Sequence, residues 1–168
     1  TDIVLGTPVA GREHPDLEHQ IGLYLNTLAI RTRFSGRMGF KKLLSLQKEV
    51  LLNAYNYQDH PFDELVDKLD IPIDTSRSAL FDVMVVLQNQ QDLSINDELG
   101  LKGLELSPYT KIERAVSQFD MVFSFSENKN GQLQLLLEYN TDIYDKGMVD
   151  RLVVHLEGLL SDAISNPH

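Results

Sequence analysis

The sequence predicts a mixed α/β fold, a β-sheet flanked by helices, on three observations. Two apolar segments, Phe119–Ser126 and Leu133–Tyr139, flank Asn128-Lys129-Asn130-Gly131, and an Asn-Gly pair supplies the positive φ that a hairpin turn needs. Two longer segments, one starting at Phe40 and one at Asp145, carry apolar residues at helical spacing. Strand patterns alternate with helical ones along the chain, with no internal repeat or low-complexity stretch.

Asp2–Val9 reads as the first strand, followed by the loop Gly11-Arg12-Glu13-His14-Pro15, after which Asp16 is placed to cap a short helical turn through Gln20. Leu23–Arg33 alternates as a second strand, with Leu23, Leu25, Thr27, Ala29 and Arg31 on one side and Tyr24, Asn26, Leu28 and Ile30 on the other. Phe40–Asn56 is an amphipathic helix through Phe40, Leu43, Leu44, Gln47, Leu51, Ala54 and Tyr55. Pro61 is expected in the first turn of a helix over Pro61–Leu69, where its missing N–H does no harm. Leu80–Leu87 is strongly β-forming, Asn89–Leu99 is a polar surface excursion, and Leu101–Tyr109 is a further strand closed by Pro108. The last helix, capped by Asp145, has Val149, Leu152, Val153, Leu156, Leu159, Leu160 and Ile164 as its apolar face.

At 168 residues the chain fits one domain, or part of a larger one. It opens at Thr1 directly on the apolar Ile3-Val4-Leu5, which reads as a cut through a larger fold. A formal net charge of −10 repels phosphate backbones and anionic lipid, arguing against nucleic acid and membrane as partners. No apolar run approaches the ~18 residues of a spanning helix. The chain has no cysteine, so it has no disulfide, thiol nucleophile or thiolate metal site, a composition compatible with a reducing cytoplasm.

Candidate chemistry is sparse. His14, Asp16, Glu18 and His19 bring imidazoles and carboxylates together, but Pro15 interrupts the i, i+4 spacing and no second ligand set stands out. The cluster reads as a solvated loop, and no metal site is expected. His60 has Asp59 and Asp63 as neighbours that would orient an imidazole as a base, yet Asp-His-Pro-Phe also opens a helix and no partner nucleophile is visible. His155 sits at the border of the last helix's apolar stripe. Gly6-Thr7-Pro8-Val9-Ala10-Gly11-Arg12 lacks the Gly-Lys-Ser/Thr ending of a phosphate loop, and no Gly-x-Ser-x-Gly elbow occurs.

Several blocks together resemble the condensation domain of non-ribosomal peptide synthetases. Asp-Ile-Val-Leu-Gly-Thr-Pro-Val-Ala-Gly-Arg (Asp2–Arg12) is close to the family's strand and loop. Ile21–Arg31 is similar to its Ile-Gly-x-Phe-Val-Asn-Thr-Leu-x-x-Arg block, and Tyr57–Leu65 to its Gln-Asp-x-Pro-Phe-Glu block. Asp74–Phe81 is similar to Asp-x-Ser-Arg-x-Pro-Leu-Phe, with Ala79 in place of the usual proline. Gln118-Phe119-Asp120, Glu138-Tyr139-Asn140-Thr141-Asp142 and a final helix complete the order, so the likeness spans essentially the whole chain.

This resemblance implies a chloramphenicol-acetyltransferase-like half-domain. It also implies a reaction in which an amine on one carrier protein's phosphopantetheine attacks a thioester on another. The family's His-His-x-x-x-Asp-Gly motif, which belongs to the first of its two halves, does not occur here, since no two histidines are adjacent. The chain is therefore expected to be the C-terminal subdomain, residues 1–168, without the N-terminal one: a wall of the substrate tunnel, carrying no catalytic residue, holding no cofactor directly, and inactive alone. Its expected partners are the missing subdomain, donor and acceptor peptidyl carrier proteins and an adenylation domain, in the cytoplasm.

By the same resemblance, Asn26 and Thr27 are candidates to line the cleft, or to hydrogen-bond a neighbouring loop. Arg12, Arg31 and Arg77 are expected in buried ion pairs that hold loops or halves together. Gln58, Asp59, Pro61 and Phe62 are expected to fix the turn into their helix. The strand Val83–Leu87, with Val86 as its candidate, offers an apolar wall on the acceptor side. Phe119–Ser126 is expected to reach toward the other half and to expose an edge or apolar surface in isolation, so that the chain self-associates. The rival readings are a non-catalytic module that docks carrier proteins and an independent acyltransferase using His60.

Overall fold

Eight consecutive residue pairs join β1 (Asp2–Val9) to β2 (Asn26–Arg33), antiparallel, from Asp2 opposite Arg33 to Val9 opposite Asn26. This ladder begins a mixed five-stranded sheet in a computed structural model that describes residues 1–12, 14–17, 19–72, 74, 76–88, 116–128 and 130–167. β3 (Val83–Gln88) runs parallel beside β1, β4 (Met121–Glu127) parallel beside β3, and β5 (Leu133–Tyr139) antiparallel beside β4. The spatial order is β2-β1-β3-β4-β5. Among the described residues the helices are α1 (Phe40–Tyr55), α2 (Phe62–Lys68) and α3 (Lys146–Ser165), with a 3-10 turn at Pro15–Leu17. The surface excursion expected over Asn89–Leu99 and the strand expected over Leu101–Tyr109 lie outside the described residues.

Paired residues share a face of a sheet, so Val9, Leu28 and Ile30 stand together on one side of the β1–β2 ladder. All three are buried, and Val50, Leu51 and Ala54 of α1 pack against them. Thr32, on the same face, donates its hydroxyl to Gln47 of α1 at 2.8 Å, which meets the polar requirement of a buried side chain. Of the three helices among the described residues, two start on caps supplied from far along the chain. The free N–H of Lys41, in the first turn of α1, donates to the carbonyl of Pro167 beyond the end of α3. The Phe62 N–H at the start of α2 donates to the Asn26 side chain of β2. Only α3 is capped locally, Asp145 accepting from the Met148 N–H at 2.8 Å as its sequence position predicts.

Several boundaries differ from the sequence expectation for identifiable reasons. β2 begins at Asn26 rather than Leu23 because β1 ends at Val9. Gly11 then turns with φ +61° against the Tyr24 carbonyl, leaving residues 23–25 without a partner strand. The turn after Pro15 is one 3-10 turn and does not extend through Gln20. Pro61 stands just before α2 with extended ψ of 135°, not inside its first turn. The third strand starts at Val83, since Phe81 leaves the strand direction and places its ring where a Gly6 side chain would stand. In the hairpin Gly131 takes positive φ (+74°). Its N–H donates to the Asn128 carbonyl and the Asn128 N–H donates to the Gln132 carbonyl, so the glycine closes the turn. On α3, Val149 is buried and Val153, Leu156 and Ala163 are half-buried, while Leu152, Leu159, Leu160 and Ile164 of the expected apolar face are exposed. Finally, β4 lies between β3 and β5, so its residues present no free edge; among the described residues the outer strands are β2 and β5.

Gly6 is the tightest backbone position, because a Cβ there would sit 2.1 Å from the buried ring of Phe81. Gly6→Ala is expected to destabilise the chain by about 1–3 kcal/mol through overpacking, read as a lowered urea midpoint at unchanged slope.

Candidate functional site

Asn26, the first residue of β2, has every polar atom of its side chain engaged. Its Nδ2 donates to the carbonyls of Gln58 at 2.6 Å and His60 at 2.8 Å, and its Oδ1 accepts from the Phe62 N–H at 3.2 Å. Of the two roles foreseen for it, the bond to a neighbouring loop is therefore present in the structure. The turn containing Gln58 and Asp59 is closed by backbone bonds from Gln58 to Tyr55 and from His60 to Tyr57. The side chain of a distant strand thus sets how the chain enters α2, and places Phe62.

Phe62 begins an aromatic row. Its ring lies 5.7 Å from that of Phe81, which stacks on Phe119 at 5.5 Å with 26° between the planes. The row borders a recess of about 470 Å³ lined by Leu25, Asn26 and Thr27, by Pro61, Phe62 and Asp63, by Ser78 and Phe81, and by Gln118 and Phe119. These residues come from four blocks separated by as many as 90 positions, and the fold gathers them around one recess. Phe81 and Phe119 were absent from the sequence-derived candidates; the signal was a Phe-Asp pair before each of two strands. Val86 is not among the lining residues. It stands at the middle of β3, paired with Ser124 of β4, half-buried.

The arginines depart from the expectation of buried ion pairs. Arg12 makes no ion pair among the described residues. Its guanidinium instead donates to the carbonyls of Leu17, Gln20 and Gly22 and lies 4.4 Å from the centre of the Tyr24 ring. It fastens the loop that leads into β2, while the row Ile21, Leu23 and Leu25 points to solvent, Leu23 at 86% and Leu25 at 65% exposure. Arg31 grips Asp2 with two hydrogen bonds of 2.9 and 2.8 Å, and Arg33 adds a third at 2.9 Å, all at the surface. Arg77 pairs with Asp82 through two nitrogens, also largely exposed. Each arginine sits beside backbone open to water, where a guanidinium keeps part of its hydration and does not have to be buried.

The Asp2 carboxyl is held well below the usual carboxylate range, first by the hydrogen bond from Arg31 and then by that from Arg33. Asp74 is lowered too, by the Ser76 hydroxyl at 2.7 Å and the Ser76 N–H at 2.9 Å. His60 Nδ1 lies 3.1 Å from the Pro61 carbonyl and Nε2 3.0 Å from the Lys68 ammonium, a pattern that fits a ring donating at Nδ1 and accepting at Nε2. Its ring contacts are these, not Asp59 or Asp63. His14 Nδ1 accepts from the Asp16 N–H at 3.3 Å. Among the described residues no three His, Cys, Asp or Glu side chains gather as a metal site, and no helix is long and apolar enough to cross a membrane.

Asn26→Ala is expected to cost about 2–3 kcal/mol, at ~1 kcal/mol for each hydrogen bond removed. Asn26→Asp keeps the acceptor for Phe62 but sets a carboxylate against two carbonyls, so it should cost at least as much at neutral pH; equal urea midpoints for Asn26→Asp and wild type would contradict the clamp. For Asp2 the lowered folded value means that the unfolded chain binds the proton first. Its contribution is complete above the ~3.9 of a free aspartate and is lost as pH falls below that. Urea midpoints of Asp2→Asn should accordingly fall less steeply than wild type between about pH 5 and pH 2.5, the remaining slope including Asp74.

The family described as "Condensation domain" matches residues 1–168. Bacitracin synthase 3 of Bacillus licheniformis is 43% identical over 167 residues, covering 99% of this chain and 2% of the synthase. The chain thus spans a few hundredths of the length of that relative. Two solved structures share the fold across 99% of the chain. One is a complex of the X-domain and OxyB from teicoplanin biosynthesis (TM-score 0.83, 22% identity, 36% of that chain). The other is a four-domain nonribosomal peptide synthetase bound to AMP and glycine (TM-score 0.82, 23% identity, 13% of that chain). With its whole length matched, and the same blocks gathered around one recess, the chain belongs to the condensation-domain family.

Proposed function

We propose that this chain is the C-terminal subdomain of a condensation domain and forms one wall of the site where two carrier-bound substrates meet. In that reaction the amine nitrogen of the acceptor attacks the thioester carbonyl carbon of the donor. A C–N bond forms, the C–S bond breaks, the donor's pantetheine leaves as a thiol, and the amine gives up a proton. Positioning and a proton acceptor are what such a step asks of the protein. The single observation that carries the reading is the convergence of four family-like blocks on the recess beside Asn26 and Phe62. Exposed apolar side chains add support: Ile21, Leu23 and Leu25, with Leu133 and Leu136, stand mostly in solvent. The reading assigns donor and acceptor carrier proteins, an adenylation domain and an N-terminal subdomain bearing the His-His-x-x-x-Asp-Gly motif as partners, with phosphopantetheine arriving on the carriers.

A second reading, a docking module of the same fold without chemistry of its own, is favoured by the likeness to an X-domain that forms a complex with OxyB. The greater identity to a synthetase, 43% against 22%, puts the first reading ahead.

The test is an amide-forming assay with two aminoacyl-loaded carrier proteins. The chain alone should give no product, and the chain fused behind a first subdomain with an intact His-His-x-x-x-Asp-Gly motif should give dipeptide. In the fusion His60→Ala should leave the rate within about twofold, well short of the ~10²–10⁴-fold loss on removing a general base. Product from the chain alone, or abolition by His60→Ala in a folded fusion, would overturn the reading; a fusion that binds carriers without forming amide would favour the docking module.

A further inference from the structure

The turn between β4 and β5 carries a reactive pair. Asn130-Gly131 is the one Asn-Gly in the chain, and both residues are exposed. An asparagine amide lies within reach of the backbone nitrogen that follows it, and a glycine there brings no side chain to block the approach. In this turn that nitrogen is occupied: the Gly131 N–H donates to the Asn128 carbonyl at 2.9 Å. The Asn128 side chain fastens the backbone on both sides, its Oδ1 accepting from the N–H of Asn130 at 3.0 Å and of Gln132 at 2.9 Å. Glu127 Oε1 lies 3.6 Å from where a Cβ on Gly131 would stand, a negative charge that opposes loss of a proton from the glycine nitrogen.

We propose that Asn130 is a site of spontaneous deamidation, and that Asn128 guards it by holding the Gly131 N–H and the turn around it. When the turn opens, hydroxide takes the proton from the Gly131 nitrogen, which attacks Cγ of Asn130. A C–N bond forms and the bond from Cγ to the side-chain nitrogen breaks. Ammonia leaves with a proton from water, which restores the hydroxide, and a five-membered succinimide remains. Water then opens the ring at one of its two carbonyls. One opening gives aspartate; the other gives isoaspartate, whose main chain runs through Cβ. Each event consumes one water, releases one ammonia and adds one negative charge to the −10 of the chain. Isoaspartate also lengthens the turn by one methylene, and that turn sets the register of the β4–β5 pairs from Met121 opposite Tyr139 to Glu127 opposite Leu133. The turn lies at the other end of β4 from Phe119, so the proposal does not rest on the reading of the recess.

The test follows isoaspartate in the 168-residue chain by isoaspartyl methyltransferase labelling, with the labelled peptide located by mass spectrometry. In urea the label should accumulate in the peptide that contains Asn130, and Asn130→Gln should remove it from there. In the folded chain it should accumulate at Asn130 about tenfold or more slowly, since several hydrogen bonds must open before the attack. Asn128→Ala, with its circular dichroism unchanged, should raise the folded rate about fivefold, the equivalent of one hydrogen bond, and leave the rate in urea as it was. Asn128→Asp keeps the acceptor oxygen and should keep the slow folded rate, which separates guarding of this turn from a general loss of stability. Absence of label at Asn130 in urea, equal rates in the folded and urea-unfolded chain, or a folded Asn128→Ala chain that deamidates at the wild-type rate would overturn the proposal.

Discussion

The side-chain amide of Asn26 is the interaction on which the recess depends. α2 has only seven residues, far fewer than a helix needs to persist by itself, and no side chain of its own caps its start. Three hydrogen bonds from the first residue of β2 fix the two carbonyls before α2 and the N–H of its first residue. Phe62 is thereby held against Phe81, Phe81 against Phe119, and the Phe81 ring against the backbone of Gly6. One amide thus connects the β1–β2 ladder, the short helix and the entrances to β3 and β4. Gln58 and Asp59 matter to the site through the turn whose carbonyl Asn26 reads.

The charged pairs contribute in another way. Asp2 with Arg31 and Arg33, Arg77 with Asp82, and Lys146 with Asp150 all lie in contact with water. Exposed pairs stabilise little and are screened by salt, so their value lies in geometry. Asp2 faces Arg33 directly across the ladder, and Arg31 two residues on reaches the same carboxylate. A shift by one residue would send these side chains to the opposite face. Arg12 acts through neutral acceptors, spending its donors on three carbonyls of one loop while its planar head covers Tyr24.

Much of the fold was legible in the sequence because it is written in local periodicity. β1 and β5 have the bounds their patterns predict, α1 ends one residue early, and Asp145 caps α3 as its position requires. The errors cluster where a distant group intervenes. β2 loses Leu23–Leu25 because its partner strand stops at Val9, and a strand exists only where another pairs with it. The amphipathic stripe of α3 is real, but the sheet covers only Val149, Val153, Leu156 and Ala163; periodicity tells which residues are apolar and not how much surface lies opposite. Arg31 and Arg77 form the expected charge pairs, but at the surface, whereas Arg12 bonds to carbonyls instead. At the candidate site Asn26 and Thr27 were cleft candidates and Pro61 and Phe62 were expected only to fix a turn, whereas Phe81 and Phe119 join it through contacts made across the chain.

The sequence by itself determined the class of fold, the hairpin at Gly131, the capped final helix and the family, since each is carried by residues near one another or by blocks in fixed order. Tertiary structure alone decided what Asn26 and Pro167 do. Their partners lie 32 and 126 positions away, and a hydrogen bond between such groups exists only after the strands and helices between them have taken their places. The same reason gathers four blocks into one recess: chain order fixes which residues are present, and packing of the sheet against its helices fixes which of them meet.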